Sequence, residues 1–419
     1  MKGTDGATTN SGTYMVGLDV GTTKVAAVVG EQTASGVDII GLGTAPSRGL
    51  RRGTVVNLES TVDAIKKAKE EVELMAGVEV HRALVSIGGT QLKGFNSRGV
   101  IAIQAAGRVV NEESVARVIE AARAVSIPQD RQVLHVLPQE YMIDEQDGIK
   151  HPYGMSGTRL EVNVHMATGA QAATQNLLTC VGRAGIEVAD LVVEQLASAE
   201  SVLSEDEKEL GVALVDVGGG STDLAIYEKG AVWHTAVLPL GGDHFTNDIA
   251  VGLRTPIPEA ERIKRRNGAA TTALVGADEM VEVPGVGGRA PREVSRQVLA
   301  AIIEPRAEEL FQLLKEEIAR AGYDKSLNSG IVLSGGGSLL EGMCDVAERV
   351  FDLPTRRGSP HGVGGLTDLV GSPLFATSVG LLLWGQRRDI PVMAQLRAEP
   401  VSLFERVGTG LKSWLQEFF

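Results

Sequence analysis

The chain has 419 residues, 43% of them apolar, enough for a well-buried core and two to four domains. Its net charge of −13 argues against nonspecific nucleic-acid binding. Its two cysteines, Cys180 and Cys344, form no disulfide framework or zinc spacing, as expected in a reducing cytosol. Residues 1–13 are polar and Gly/Thr-rich, without an apolar run, and read as a disordered tail, not a secretory signal. No stretch reaches the roughly 18 consecutive apolar residues of a spanning helix.

Residues 14–46 read as a β-meander around a tight turn, Asp19-Val-Gly-Thr-Thr-Lys24. Apolar periodicity then predicts a helix over Val62–Met75, stopped at Gly77. A strand, Val80–Gly88, follows. Residues 90–163 change character: short strands at Gly99–Ile103, Arg131–Leu137 and Glu140–Ile143 surround a helix from Glu112 to Ala124, a pattern of an inserted α/β subdomain. A helix at about Ala170–Ala184, a strand Val188–Val193 and a helix Glu194–Leu203 come next. The turn then returns in altered form at Asp216-Val-Gly-Gly-Gly-Ser-Thr-Asp223, again between apolar runs. Residues 259–311 are helical and charged, with a glycine-rich hairpin near Pro284–Gly288. The strand Ile331–Leu333 runs into Ser334-Gly-Gly-Gly-Ser338 and a helix, Met343–Val350. A proline-bracketed linker, 389–402, precedes a terminal amphipathic segment, 403–419.

The repeated turn carries chemistry. Glycines and small hydroxyls let backbone N–H groups approach an anion, and an acid before each turn suits a hydrated Mg²⁺. Two near-copies about two hundred residues apart suggest two similar domains closing on one phosphate chain. With Gly335, Gly336 and Gly337 as a third glycine element leading into a helix, their order and spacing are those of the actin/Hsp70/sugar-kinase nucleotide fold. P-loop and Rossmann fingerprints are absent. On this reading Asp19 and Asp216 hold Mg²⁺ through water. Gly21, Thr22, Thr23, Lys24, Gly218, Gly219, Gly220, Ser221, Thr222 and Gly242 surround the phosphates of ATP. Glu194 orients a water at the γ-phosphate, with Asp223 assisting. Glu261 and Lys264, at i and i+3, read either as a surface ion pair or as groups facing ribose and adenine. Glu194 likewise reads either as catalytic or as a helix-opening carboxylate favoured by the dipole.

On a helix, Leu403, Phe404, Val407, Leu411, Trp414, Leu415 and Phe418 form one stripe, so 403–419 reads as a membrane-targeting helix. Its basic residues, Arg406 and Lys412, are balanced by Glu405 and Glu417, and Gly408 and Gly410 weaken the helix. Half-burying the stripe contributes on the order of 6–12 kcal/mol, and ordering the segment costs a similar sum. One copy should bind lipid reversibly and a filament of copies firmly.

The chain resembles the FtsA family of bacterial actin-like cell-division proteins over nearly all its length after residue 13. Besides the turns, the resemblance rests on Gly49-Leu-Arg-Arg-Gly53, Met75-Ala-Gly77, Glu194-Gln-Leu-Ala-Ser-Ala199, Leu240-Gly-Gly-Asp243, Ala260-Glu-Arg-Ile-Lys264 and Ile303-Glu-Pro-Arg306. It implies an α/β, actin-like two-lobed ATPase fold of duplicated ribonuclease-H-like domains. The first-lobe core would be 14–89 and 164–209, with 90–163 as the inserted subdomain. The second-lobe core would be 210–243 and 331–388, with 244–330 as its small subdomain. The resemblance further implies ATP and Mg²⁺ in the cleft with slow hydrolysis at most, and head-to-tail filaments. It implies attachment by the C-terminal helix to the cytoplasmic face of the inner membrane at the septum, contact with other division proteins, and binding of the C-terminal peptide of FtsZ. Arg289, Arg292, Arg296 and Arg306 would meet that acidic peptide, unless they form a solvated basic face or internal ion pairs. A sugar-kinase-type phosphotransferase shares the same turns and is the alternative.

Overall fold

The computed structural model describes residues 13–104, 106–388 and 394–396. Residues 1–12 of the expected N-terminal tail, most of the 389–402 linker and all of the amphipathic stripe from Leu403 to Phe418 lie outside the described residues, whereas Thr13 begins the first strand.

Strands β1 (Thr13–Val20), β2 (Lys24–Thr33) and β3 (Gly36–Pro46) form the meander, antiparallel throughout. The hairpin β4 (Leu50–Arg51) and β5 (Thr54–Val55) leads to helix α1 (Leu58–Ala76). Asn57 caps that helix by accepting the Ser60 N–H, and Gly77 ends it in the left-handed conformation. The short β6 (Val78–Val80) and the buried β7 (Arg82–Ile87) follow. The insert comprises β8 (Lys93–Ala102), α2 (Glu112–Arg123), β9 (Arg131–Ile143), β10 (Gln146–Ile149) and β11 (Arg159–Ala170), with sheet order β10-β9-β11-β8 and a core of its own. The two strands expected at 131–143 are one. Asn163 pairs with Glu140 and Val164 with Pro138, which leaves Gln139 as a bulge next to a proline that lacks a ladder donor.

Then come α3 (Gln171–Arg183), β12 (Glu187–Val193), α4 (Glu194–Val202) and α5 (Glu205–Leu210). The second lobe opens with β13 (Val212–Val217), β14 (Thr222–Glu228) and β15 (Ala231–Leu238). Helices α6 (Gly242–Leu253) and α7 (Ile257–Asn267), the hairpin β16 (Met280–Val283) and β17 (Arg292–Ser295), and the long α8 (Arg296–Ala321) follow. The chain ends with β18 (Ile331–Ser334), α9 (Met343–Phe351), β19 (Thr355–Arg357), β20 (Val363–Gly365), α10 (Thr367–Val370), α11 (Ala376–Arg387) and β21 (Ala394–Leu396). Three residues of the expected linker thus form a strand, which pairs with β1 and β6.

The duplication is visible in the pairing. In the first lobe the order β3-β2-β1-β7-β12 runs antiparallel, antiparallel, parallel, parallel; in the second, β15-β14-β13-β18-β19 repeats it. One apolar core runs between the two sheets, from Val16 and Leu84 to Leu214 and Ala225, and each sheet's other face packs on a core of its own. Helices α4 and α11 pack against each other: Ser201 Oγ donates to the Ala376 carbonyl at 2.7 Å, and Gly380 lies against the Ala197 carbonyl. Among the described residues no helix is long and apolar enough to cross a membrane.

Candidate functional site

The two acidic turns fold alike. Gly21 N–H donates to the Lys24 carbonyl and Gly218 N–H to the Ser221 carbonyl, each at 3.0 Å, and Asp19 and Asp216 occupy matching positions one residue before the end of β1 and β13. Their tips meet across the lobes. A side chain on Gly219 would strike Thr23, and one on Gly220 would press on Thr22 and the Arg52 backbone. The Thr22 hydroxyl is already engaged, accepting the Gly53 N–H at 2.9 Å.

Behind the tips lies a cavity of about 600 Å³ lined from both lobes. Four acids converge on it: Asp19 and Glu194 from the first lobe, Asp216 and Asp223 from the second. Asp19 is bound by Lys24 Nζ at 2.9 Å and accepts the Ser86 hydroxyl at 3.0 Å. Lys24, expected at the phosphates, therefore pairs with Asp19 here and lies over the Phe375 ring. Asp216 accepts the Ser198 hydroxyl at 2.6 Å, and Ser198 is hydrogen-bonded to Thr377 at 2.9 Å. Asp223 Oδ1 is buried without a partner. Burial raises the Asp216 carboxyl to about 6; the Ser198 hydrogen bond opposes this and the Asp19 charge adds to it. Asp223 and Glu194 are pushed well above the usual carboxylate range, first by burial and then by the surrounding acids, with Lys24 partly offsetting this at Glu194. A buried pocket of crowded acids favours a bound cation. Among the described residues no three His, Cys, Asp or Glu side chains are placed to ligate one ion directly.

At the far end Glu261 and Lys264 form an ion pair at 2.6 Å. Lys264 also donates to the Gly242 carbonyl and the Thr246 hydroxyl, and Glu261 is bonded to Thr246. Burial raises the Glu261 carboxyl, but Lys264, Thr246 and Arg265 together hold it at about 2. Gly335, Gly336 and Gly337 line the cavity with Leu339, Leu340 and Glu341.

Three expectations need correction. Thr222 is fully buried in β14, and its hydroxyl donates to the Leu240 carbonyl at 2.7 Å, so it does not face the cavity. Gly220 is absent from the lining because it packs against the first lobe. The helix expected at Met343–Val350 forms as α9, Met343–Phe351, with a 3₁₀ turn, Gly336–Leu339, between it and Gly335. Arg296 and Arg306 are engaged inside the lobe. Arg296 bonds the Asn267 carbonyl, Glu279 and Glu341 and lines the cavity; Arg306 forks onto Asp248 and bonds Glu309. Arg289 and Arg292 are exposed, and Arg292 donates to the Leu253 carbonyl.

Sequence reasoning missed Ser86, Ser198, Asp243 and Thr377. Ser198 was findable, since it sits at i+4 from Glu194 on one helix face. Asp243 lines the cavity beside Gly242, and both N–H groups are taken by the second turn, through the Gly219 and Gly218 carbonyls at 2.8 Å.

The family model "Cell division protein FtsA" matches residues 213–380, and "SHS2 domain inserted in FTSA" matches 89–168. Cell division protein FtsA of Pseudomonas aeruginosa is 53% identical over 384 residues, 91% of this chain and 92% of that protein. Its Escherichia coli counterpart is 42% identical over 413 residues, 97% and 98% of the two chains. Among solved structures, a chain of the PilM-PilN type IV pilus biogenesis complex superposes with a TM-score of 0.64 at 20% identity, covering 88% of this chain and 98% of that one. MreB5 of Spiroplasma citri bound to ADP gives 0.53 at 16%, covering 90% and 97%. These last two carry the actin-like fold and nothing further. Identity of 42–53% sustained over nine-tenths of both chains, together with the domain inserted in FtsA at 89–168, places the chain in the FtsA family of cell division proteins.

Proposed function

We propose that this chain is an ATP-binding, actin-like scaffold that polymerises on the cytoplasmic face of the inner membrane at the septum, tethers the FtsZ ring there and recruits other division proteins. The observation that supports the reading best is the pair of acidic turns meeting across one cavity, with Asp19, Glu194, Asp216 and Asp223 turned toward it. The residues fit ATP and Mg²⁺. The acids are short of positive charge, Asp223 Oδ1 lacks a partner, and a side chain at Gly335 would fill space beside Asp216. Asp19 and Asp216 would hold Mg²⁺ through water, and Gly21, Thr23, Lys24, Gly218, Gly219 and Ser221 would surround the phosphates. Bound Mg²⁺ supplies charge that neutralises the phosphate oxygens. Glu261 and Lys264 would receive the ribose, and the 3₁₀ turn with Leu339 and Leu340 the base.

Burial and the surrounding acids push the Glu194 carboxyl well up, so a cation that offsets those acids would favour its action as a base. That fits slow turnover, with the nucleotide acting as an assembly ligand that closes two lobes. Lipid affinity would reside in the stripe from Leu403 to Phe418 and be multiplied by assembly. Arg289 and Arg292 remain the basic groups open to an acidic FtsZ peptide. Electron microscopy on a lipid monolayer tests the reading. Ordered filaments should require ATP with Mg²⁺ and residues 403–419; filaments indifferent to nucleotide, or none at all, would overturn it.

A further inference from the structure

The inserted subdomain reaches toward the cavity's edge through His135. His135 sits on β9, 5% exposed, and its Nε2 accepts the Val193 N–H at 3.2 Å. Val193 is the last residue of β12 and the N-cap of α4; the next residue is Glu194. The cap is unusual in its chemistry. An apolar residue with φ −64° and ψ 130° occupies it, and no side chain caps the helix. β12 is the outer strand of its sheet, pairing with β7 alone, so the insert supplies the acceptor for this buried N–H. The ring is fixed from its other side. It packs edge-on against Trp384 of α11 at 5.3 Å, and Trp384 donates to Asp190 of β12 at 3.3 Å. Burial keeps the imidazole neutral, the Asp190 charge opposing this and Arg388 adding to it. With Nε2 as acceptor, the proton lies on Nδ1.

We propose that His135 is a positioning residue of the cleft, through which the inserted subdomain fixes the start of α4 and so the placement of Glu194. The inference rests on the nucleotide reading above. A buried N–H deprived of its acceptor costs about 1–3 kcal/mol, and the chain relieves that cost by turning the Val192–Val193 peptide, one residue before Glu194. The Glu194 carboxylate occupies the space that a side chain on Gly88 would take, so a turn just before it shifts that carboxylate. A shift of about 1 Å in a group that orients a reactant is enough to lower turnover strongly.

The test compares the full-length protein with His135→Phe, which keeps the packing on Trp384 but removes the acceptor, and His135→Gln, whose amide oxygen reaches the place of Nε2. Amide exchange over 190–198 is measured without nucleotide, beside ATP affinity by titration and phosphate release in a single turnover. In the Phe variant, exchange at 193–195 should rise about tenfold or more, and turnover should fall about fivefold or more at nearly unchanged ATP affinity. The Gln variant should restore both. Wild-type exchange and turnover in the Phe variant would overturn the proposal, as would a Gln variant as impaired as Phe. Should wild-type protein bind no ATP, the nucleotide reading falls, while the exchange comparison still decides whether His135 sets the start of α4.

Discussion

Ionised Asp216 works against folding. Its carboxyl titrates at about 6 in the native state, chiefly through burial, against about 3.9 in an unfolded chain. The folded form therefore holds the proton more tightly. The stability this group contributes is fully present below about pH 4 and is lost as pH rises through about 6, a difference of roughly 3 kcal/mol. Asp216→Asn should accordingly raise the thermal midpoint of the nucleotide-free protein near neutral pH and leave it unchanged near pH 4, while Mg²⁺-dependent ATP binding collapses. A midpoint lowered at neutral pH would show that the carboxylate stabilises the fold instead. In the wild type, Mg²⁺-dependent ATP affinity measured by titration should weaken as pH falls below about 6, since the cation then competes with protons. The acids themselves were legible because Asp19 and Asp216 stand beside glycine punctuation and Glu194 opens a periodic helix. Their partners were not. Ser86 lies 67 residues from Asp19 and Thr377 lies 179 from Ser198, with no local pattern to mark either. Nor could spacing reveal that Arg296 and Arg306 are consumed by Glu279, Glu341 and Asp248, because ion pairing depends on which helices pack side by side.

Elements with strong periodicity and caps were readable to within a few residues: α1 from its apolar spacing and Gly77, and β1 to β3 from their runs around turns. Elements governed by a special backbone were not. Gly335 takes φ 75° and ψ 170°, a region open essentially to glycine alone. A side chain there would strike Asp216 Oδ1 and the Val217 carbonyl. That conformation sets a 3₁₀ turn between β18 and α9, whose start at Met343 was legible while the turn was not. Gly335→Ala should cost about 1–3 kcal/mol in strain and displace Asp216, so nucleotide affinity should fall along with the thermal midpoint. An alanine variant that keeps wild-type affinity would show that this turn does not shape the site. The bulge at Gln139 is a second such case: Pro138 interrupts the ladder, and only the facing strand shows where the extra residue goes.

The bulge matters for the whole molecule, because Gln139 Nε2 donates to the Val232 carbonyl on β15 at 2.9 Å. Beside it Asn96 donates to the Trp233 carbonyl. The fully buried His165 gives Nδ1–H to Asn96 at 2.7 Å and accepts the Thr235 hydroxyl at 2.8 Å. The insert thus caps the outer strand of the second lobe's sheet while His135 anchors it to the first. Gln139→Leu leaves a carbonyl without its partner at a cost of about 1–3 kcal/mol. It should lower the thermal midpoint and speed amide exchange over 231–238; unchanged exchange would mean that the seam carries no load. The sequence by itself determined the duplicated acidic turns, the class of fold they imply and the site of the insertion. Glycine punctuation and apolar period are local properties, and both are written in consecutive residues. The tertiary structure alone decided that the two turns touch, that four acids crowd one cavity, that Thr222 faces away and that the insert clasps both lobes. Each of these depends on which strand edges and helix faces are buried against one another, and burial is a property of the packed molecule.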